Sequence, residues 1–150
     1  MAKVLVTLVC VLAIAGMASA ATREQYYATL TTGDVRPQCI GGNIVAGKVT
    51  VTVTDASTGT FSYSFSVRKL TGTTTTLDLG VGFYDPNGEV IATVNLNGAT
   101  RDGGTFTSPD LLTALRDDPH AVFANVNTST CPGGEVGGQF NESGAKTKFS

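Results

Sequence analysis

The chain has few of the residues on which catalysis and sugar recognition most often rely. Its 150 residues include no tryptophan and a single histidine, His120. A catalytic copper or zinc site needs about three imidazole or mixed ligands, so one histidine excludes such a site. Without tryptophan, stacking on a sugar ring would depend on tyrosine, which counts against a carbohydrate-binding surface. The tyrosines are Tyr26, Tyr27, Tyr63 and Tyr84.

Motifs for nucleophilic catalysis and phosphate binding are missing as well. There is no G-x-S-x-G elbow, and His120 would have to act as the base of any Ser–His or Cys–His pair. The Gly-rich pieces at 41–42, 103–104 and 132–134 lack the Lys-Ser/Thr of a phosphate loop. We therefore expect no enzyme activity, no catalytic residue, no cofactor and no metal. Oxygen ligands around Asp85 suggest calcium, but turn chemistry already explains them.

Positive charge is not concentrated in any segment. Ten Lys and Arg residues stand against twelve Asp and Glu residues, for a net charge of −2. The densest basic pair, Arg68 and Lys69, is read as solvated charge at a strand end. Nucleic acids and anionic membranes require clustered Lys and Arg, so neither is an expected partner.

Residues 1–20 have the pattern of a secretory signal peptide. Lys3 precedes an apolar run at 4–15, and small residues end the segment with Ala18 and Ala20. The run is shorter than the ~20 residues that span a bilayer, which counts against the alternative of a transmembrane anchor. We predict cleavage after Ala20 and a secreted, extracellular protein of residues 21–150 with no membrane span.

Cleavage removes Cys10 and leaves an even number of cysteines. Cys39 and Cys131 are then expected to form a disulfide in an oxidising compartment. Two free thiols or an intermolecular bridge are the alternatives. Asn127 and Asn141 each begin an N-x-Ser/Thr sequence, so both are candidate sites for N-linked sugar.

Alternation of apolar and polar residues runs through the middle of the chain. It is found at residues 45–53, 61–67, 77–83 and 90–96, with a fainter instance at 27–31. A period of two predicts half-buried antiparallel strands. Gly-containing turns at 55–59 and 85–88 separate consecutive strands. About seven short strands predict an all-β fold, an immunoglobulin-like or Greek-key antiparallel β-sandwich.

One segment, near 109–116, predicts a short helix. Ser108 is a suitable N-cap, Pro109 suits the first helical position and Asp110 lies in the first turn. We expect the apolar residues to pack into the open end of the sandwich. They are Leu111, Leu112 and Leu115.

The order of these pieces resembles the CHRD domain, the module named from chordin, over about residues 26–140. The resemblance rests on a Tyr-Ser-Phe-Ser-Val strand, a Leu-x-Leu-x-Val-x-Phe strand, a Pro-Asp-Leu-Leu helix and a closing hairpin. The closing hairpin is the sharpest part. Its motif residues are Asn125, Asn127, Thr128, Pro132, Gly134, Glu135, Gly138 and Gln139. The resemblance implies one extracellular β-sandwich domain over 21–150, with a polar tail at 141–150.

The chain also departs from the family pattern. The family usually has histidines where this chain has Gly80, Gly82 and Asn127, and an arginine where it has Gly137. The resemblance therefore implies a stand-alone, secreted, non-enzymatic binding module that contacts extracellular protein ligands. The residues that bind the ligand are unknown at this stage. A carbohydrate-binding or matrix structural module is the alternative, and an enzyme of unrecognised type comes third.

Overall fold

The computed structural model describes residues 23–35, 37–82 and 88–143. Three predictions lie outside these residues: the leader and its cleavage site, the turn around Asp85 that suggested calcium, and most of the polar tail.

Eight antiparallel strands and one α-helix make up the fold. The elements are β1 (Gln25–Thr31), β2 (Val45–Asp55), β3 (Thr60–Val67), β4 (Thr74–Val81), β5 (Glu89–Asn95), β6 (Arg101–Thr107), α1 (Pro109–Asp117), β7 (Val122–Thr128) and β8 (Val136–Glu142), with a 3₁₀ turn at Pro119–Ala121. The strands form one sheet in the order β5-β4-β7-β8-β1-β2-β3-β6, which curls into a nearly closed barrel. The prediction of an all-β fold with one short helix is confirmed. The strands belong to one continuous sheet because β8 pairs with β1.

The alternating pattern places one side of each strand in the core. In β3, Phe61, Phe65 and Val67 are buried, whereas Ser64 and Ser66 face solvent. Each fully buried large apolar side chain contributes about 1.5–3 kcal/mol. The side chains with the least exposure include Leu30, Val49, Val51, Phe61, Leu77, Leu79, Val122, Val126, Val136 and Phe140.

Two β-bulges overturn the predicted orientation of individual residues. The alternation had placed Val45 inward, yet Val45 is 58% exposed and its neighbour Ala46 is buried. Leu30 pairs with Gly47 and Thr31 with Val45, so Ala46 is an extra residue on β2. A bulge reverses the side on which the following residues lie.

The second bulge lies in β5. Val90 was expected to point inward but is 47% exposed, while Ile91 packs against the core. Leu79 pairs with Ala92 and Gly80 with Val90, which leaves Ile91 as the extra residue. The pairing of strands, and not the local pattern, sets this reversal.

Helix α1 forms where its sequence signals predict. Ser108 Oγ accepts a hydrogen bond from the backbone N of Leu111 at 3.3 Å, and Pro109 is the first helical residue. This cap satisfies one of the amides that a helix start leaves unpaired. The expected core contacts are confirmed, since the three helix leucines are buried in the main cluster: Leu111, Leu112 and Leu115.

Strand β6 was not predicted. Its sequence has adjacent glycines, Gly103 and Gly104, and no run of alternating apolar residues. β6 lies at one end of the sheet and, within the described ranges, pairs only with β3. An edge strand needs little apolar surface, so period-two analysis does not detect it.

The predicted disulfide is present and joins two loops. Cys39 lies in the loop between β1 and β2, and Cys131 lies in the turn between β7 and β8, with 6.0 Å between their Cα atoms. The link closes a segment of 92 residues, for which loop-closure entropy gives about 4–5 kcal/mol of stabilisation. No helix in the described part of the chain is both long and apolar enough to cross a membrane.

Candidate functional site

The glycines of the closing-hairpin motif are required by close packing. A Cβ on Gly138 would collide with the carbonyl oxygen of Thr29, on the neighbouring strand β1. Gly134 has a φ of +120°, and a Cβ there would collide with the side chain of Asn125. Only glycine tolerates this φ at low cost. Both positions therefore serve the geometry of the hairpin.

The turn of the hairpin is held by the buried side chain of Thr128. Its Oγ1 accepts a hydrogen bond from the backbone N of Cys131 at 3.1 Å, and its own N donates to the Cys131 carbonyl at 3.1 Å. Pro132 follows in the exposed turn. These contacts fix the backbone that carries one half of the disulfide.

Glu135 is a buried carboxylate that anchors a distant loop. It is 1% exposed, and its Oε1 accepts from the backbone N of Thr71 at 2.9 Å and from the Thr71 hydroxyl. Thr71 lies in the loop between β3 and β4. Glu135 Oε2 and the side-chain nitrogen of Gln139 are buried without a hydrogen-bond partner among the described residues. The motif carboxylate thus supports the fold and does not face solvent.

Asn127 belongs to a row of polar contacts across β5, β4 and β7. Its Nδ2 donates to Asp78 Oδ2 at 2.6 Å and to Thr76 Oγ1 at 2.8 Å, and Thr93 Oγ1 donates to Asp78 Oδ1 at 3.0 Å. Asn125 Nδ2 extends the row by donating to Asn127 Oδ1 at 3.3 Å, and it also donates to the carbonyl of Gly133 at 3.1 Å. The row connects three strands, and Asn127 within it stands where the resemblance places a histidine.

At two other positions where the chain departs from the family pattern, neighbouring atoms leave little room for a side chain. A Cβ on Gly80 would collide with the carbonyl of Glu89 and the ring of Phe123. A Cβ on Gly137 would lie 3.3 Å from a methyl of Val35, so that loop residue occupies the space next to it. Within the described ranges, no group of three or more His, Cys, Asp or Glu side chains could hold a metal ion.

The two candidate sugar sites differ in their surroundings. The amide nitrogen of Asn127, which a sugar would occupy, already makes the two hydrogen bonds described above. Asn141 is half-buried on β8, opposite Tyr27 of β1. His120 lies exposed in the 3₁₀ turn, consistent with a solvated loop residue.

Most of the hairpin motif supports the fold, and exposed polar side chains lie instead on the outer side of β2, β3 and β6. The register forms three cross-strand rows on this surface. They are Lys48–Ser66–Arg101, Thr50–Ser64–Gly103 and Thr52–Ser62–Thr105. We name this surface the hydroxyl face, because it consists mainly of short serine and threonine side chains.

A groove of about 340 Å³ lies on the hydroxyl face. We name it the basic groove, since the two exposed cations Lys48 and Arg101 line it. They are two strands apart, roughly 10 Å at the backbone, although 53 residues separate them in sequence (101 − 48). Its other polar lining residues are Thr50, Ser64, Ser66 and Asp102.

Neither cation of the groove forms an ion pair with a carboxylate among the described residues, although Asp102 also lines the groove. In the described ranges the ion pair is Glu24–Arg116, which involves neither Lys48 nor Arg101. The Lys48 ammonium lies 4.7 Å from the centre of the Tyr27 ring. Asp102 accepts a hydrogen bond from the Tyr63 hydroxyl at 2.9 Å. Burial, and then this bond, raises the pKa of Tyr63, so its hydroxyl remains a donor.

Sequence reasoning missed the basic groove because strand register brings its cations together. Among the positions that the sequence did indicate, the hairpin residues gather around one turn, and Asn127 joins the polar row.

Comparison with known proteins agrees with the resemblance. The family model for the CHRD domain matches residues 26–140, well over half of the chain. Searches of curated proteins and of solved structures gave no significant match. The match runs from Tyr26 in β1 to Phe140 in β8 and includes the closing hairpin whose contacts are described above. The chain therefore belongs to the CHRD domain family.

Proposed function

We propose that this protein is a secreted, non-enzymatic binding module that contacts an extracellular protein ligand through the basic groove. The observation that carries the proposal is the placement of Lys48 and Arg101 at one end of the hydroxyl face, exposed and without a carboxylate partner in the described residues. Membership of the CHRD domain family does not by itself indicate a ligand.

The chemistry of the groove favours an acidic segment of the ligand. The guanidinium of Arg101 offers planar, two-pronged donors to a carboxylate, and the ammonium of Lys48 is a compact charge with three donors. Between them lies the exposed hydroxyl of Ser66, which can donate to a further oxygen. Two ligand carboxylates about 10 Å apart would therefore meet both cations at once.

Secretion is part of the proposal. The leader pattern at residues 1–20 would direct export, and the disulfide between Cys39 and Cys131 is typical of proteins from oxidising compartments. Removal of the leader also removes Cys10, so the bonded cysteines are the ones that remain.

Capture by the secreted, disulfide-intact protein tests the proposal. The bait is exposed to extracellular fluid from its source, and bound proteins are identified by mass spectrometry and titrated individually. The test variant carries Lys48→Glu with Arg101→Glu. Its control carries Lys146→Glu with Lys148→Glu, which changes the net charge equally in the C-terminal tail.

We expect the groove variant to weaken binding at least about tenfold and the tail variant to retain it. Wild-type affinity should also fall as salt rises, because exposed charges are screened. Equal affinity of the two variants would place the ligand on another surface. Absence of any saturable ligand would overturn the binding function itself.

A carbohydrate ligand is the second candidate, favoured by one observation. The half-buried Tyr27 ring lies beside Lys48 on the same side of the sheet. A tyrosine ring can stack on a sugar, and nearby hydroxyls can bond to it. A glycan array with wild type and Tyr27→Ala separates the candidates, since sugar binding would be lost in the variant.

A further inference from the structure

We propose that strand β6 is a self-pairing edge through which two copies of this protein associate, β6 against β6, in antiparallel orientation. This inference does not depend on the ligand of the basic groove. It concerns the backbone of β6, one side of which has no partner strand among the described residues.

The hydrogen-bond phase of β6 identifies the free groups. Val67 N donates to Thr100 O at 2.8 Å at one end of the β3–β6 ladder, and Ser108 N donates to Gly59 O at 2.8 Å at the other end. Val67–Thr100 and Gly59–Ser108 are therefore hydrogen-bonded pairs, from which the alternation can be counted. Hydrogen-bonded pairs alternate with non-bonded pairs in an antiparallel ladder. Asp102, Gly104 and Phe106 therefore direct their N–H and C=O groups to β3. The residues that direct theirs to the free side are Arg101, Gly103, Thr105 and Thr107.

β6 lacks two of the features by which exposed edges avoid association, although it carries the charged residues Arg101 and Asp102. Its register with β3 is continuous over seven pairs, without a bulge, and it contains no proline. Gly103 and Gly104 are exposed, so no side chain shields the backbone at the centre of the strand. The opposite edge, β5, is interrupted by the bulge at Ile91. A regular, open edge is a template for another strand, and β6 is the more regular of the two.

The sequence of β6 fits a second copy of itself. A two-fold axis at Gly104 sets Arg101 opposite the partner's Thr107 and Gly103 opposite the partner's Thr105. Asp102 then lies opposite the partner's Phe106, so no like charges face each other. Glycine at the axis leaves the two backbones free to approach. The four free residues of each copy can form up to about eight N–H···O bonds across the pair.

Self-association of the secreted, disulfide-intact protein tests this inference. Sedimentation velocity from about 1 μM to 1 mM covers the range expected for so small an interface. Thr105→Pro removes a free-side N–H and no bond of the β3 ladder. Because each interface loses this donor twice, we expect the dimer dissociation constant to rise at least about tenfold.

Thr93→Pro on β5 is the matched control. Leu96 N donates to Thr75 O at 2.9 Å, which by the same alternation puts the Thr93 N–H on the free side of β5. Both residues are exposed threonines in the middle of edge strands, and the control also loses the Thr93 Oγ1 bond to Asp78, which lies within one copy of the protein. We expect the control to dimerise as the wild type does.

Hydrogen exchange of the wild type provides a measurement that needs no variant. The amides of Gly103 and Thr105 should become protected as concentration rises, whereas that of Thr93 should not. A protein that stays monomeric throughout would overturn the inference. A dimer equally stable in both variants, or one in which Gly103 and Thr105 exchange freely, would also overturn it.

Discussion

Arg116 and Glu24 form a two-pronged ion pair that joins helix α1 to the start of β1. The Nε and Nη2 atoms of Arg116 each lie 2.7 Å from an oxygen of the Glu24 carboxylate. The Tyr26 hydroxyl donates to the same carboxylate at 2.9 Å. The hydrogen bonds from Arg116, more than those from Tyr26, hold the pKa of Glu24 below its ordinary value of 4.5.

Replacing Arg116 should therefore cause a loss of stability that depends on pH. Because the pKa of Glu24 is lower in the folded than in the unfolded protein, ionised Glu24 stabilises the fold above about pH 4.5. That contribution is lost as pH falls through the folded pKa. We expect Arg116→Gln to lower the thermal midpoint at pH 7, and the difference from wild type to narrow near pH 3. Arg23→Gln, at an exposed position nearby, is the control. A difference that is unchanged by pH would contradict this account.

Gly138 should not tolerate even one added methyl group. An alanine Cβ would collide with the Thr29 carbonyl and separate β8 from β1. We expect Gly138→Ala to reduce the free energy of unfolding by about 1–3 kcal/mol. Gly133→Ala, where nothing lies within 4 Å of the added Cβ, should change it by less than about 0.5 kcal/mol. Urea titrations measure both, and similar values for the two variants would show that the hairpin relaxes freely.

Removing the buried carboxylate of Glu135 should release the loop that contains Thr71. Glu135→Ala leaves the Thr71 amide without its acceptor, at a cost of about 2–3 kcal/mol. Glu135→Gln keeps an acceptor oxygen and should cost less. Glu89→Ala, at an exposed position, serves as the control. In chemical denaturation, we expect the Glu135→Gln variant to have a higher free energy of unfolding than Glu135→Ala. A Glu135→Ala variant as stable as Glu89→Ala would disprove the anchoring role.

Aspartate at position 127 should destabilise the sheet, and aspartate at 141 should not. Asn127→Asp replaces a donor by a second carboxylate at the 2.6 Å contact with Asp78. We expect a loss of about 1–3 kcal/mol at pH 7, which diminishes when the carboxylates are protonated. Asn141→Asp, near the end of β8, is the matched control. Equal thermal midpoints for the two variants would mean that the Asn127 contacts contribute nothing.

The same environments predict where sugar is attached when the protein is made in a eukaryotic secretory pathway. A glycan on Asn127 would replace one of the two Nδ2 hydrogens, so the bonds to Asp78 and Thr76 could not both persist, whereas Asn141 lies near a strand end. We expect glycopeptide mass spectrometry to find sugar on Asn141 and none on Asn127. A fully occupied Asn127 in folded, secreted protein would refute the expectation.

Features that depend on near neighbours in the chain were predictable. Ser108 and Pro109 determine the start of helix α1, because an N-cap and a first-turn proline act within a few residues. The alternation in β3 determines which of its side chains are buried. The hairpin motif was recognised as a group, but its role in packing was not, since the partners Thr29, Thr71 and Asp78 lie on other elements.

The sequence by itself determined an all-β chain with one capped helix and two cysteines available to pair. The tertiary structure alone decided which residues the bulges turn outward, as at Val45, and it alone revealed β6 as a strand. It also decided that Lys48 and Arg101 lie in one groove. The physical reason is that strand register is a property of paired strands. A shift of one residue moves every side chain to the other side of the sheet, and no single segment encodes it.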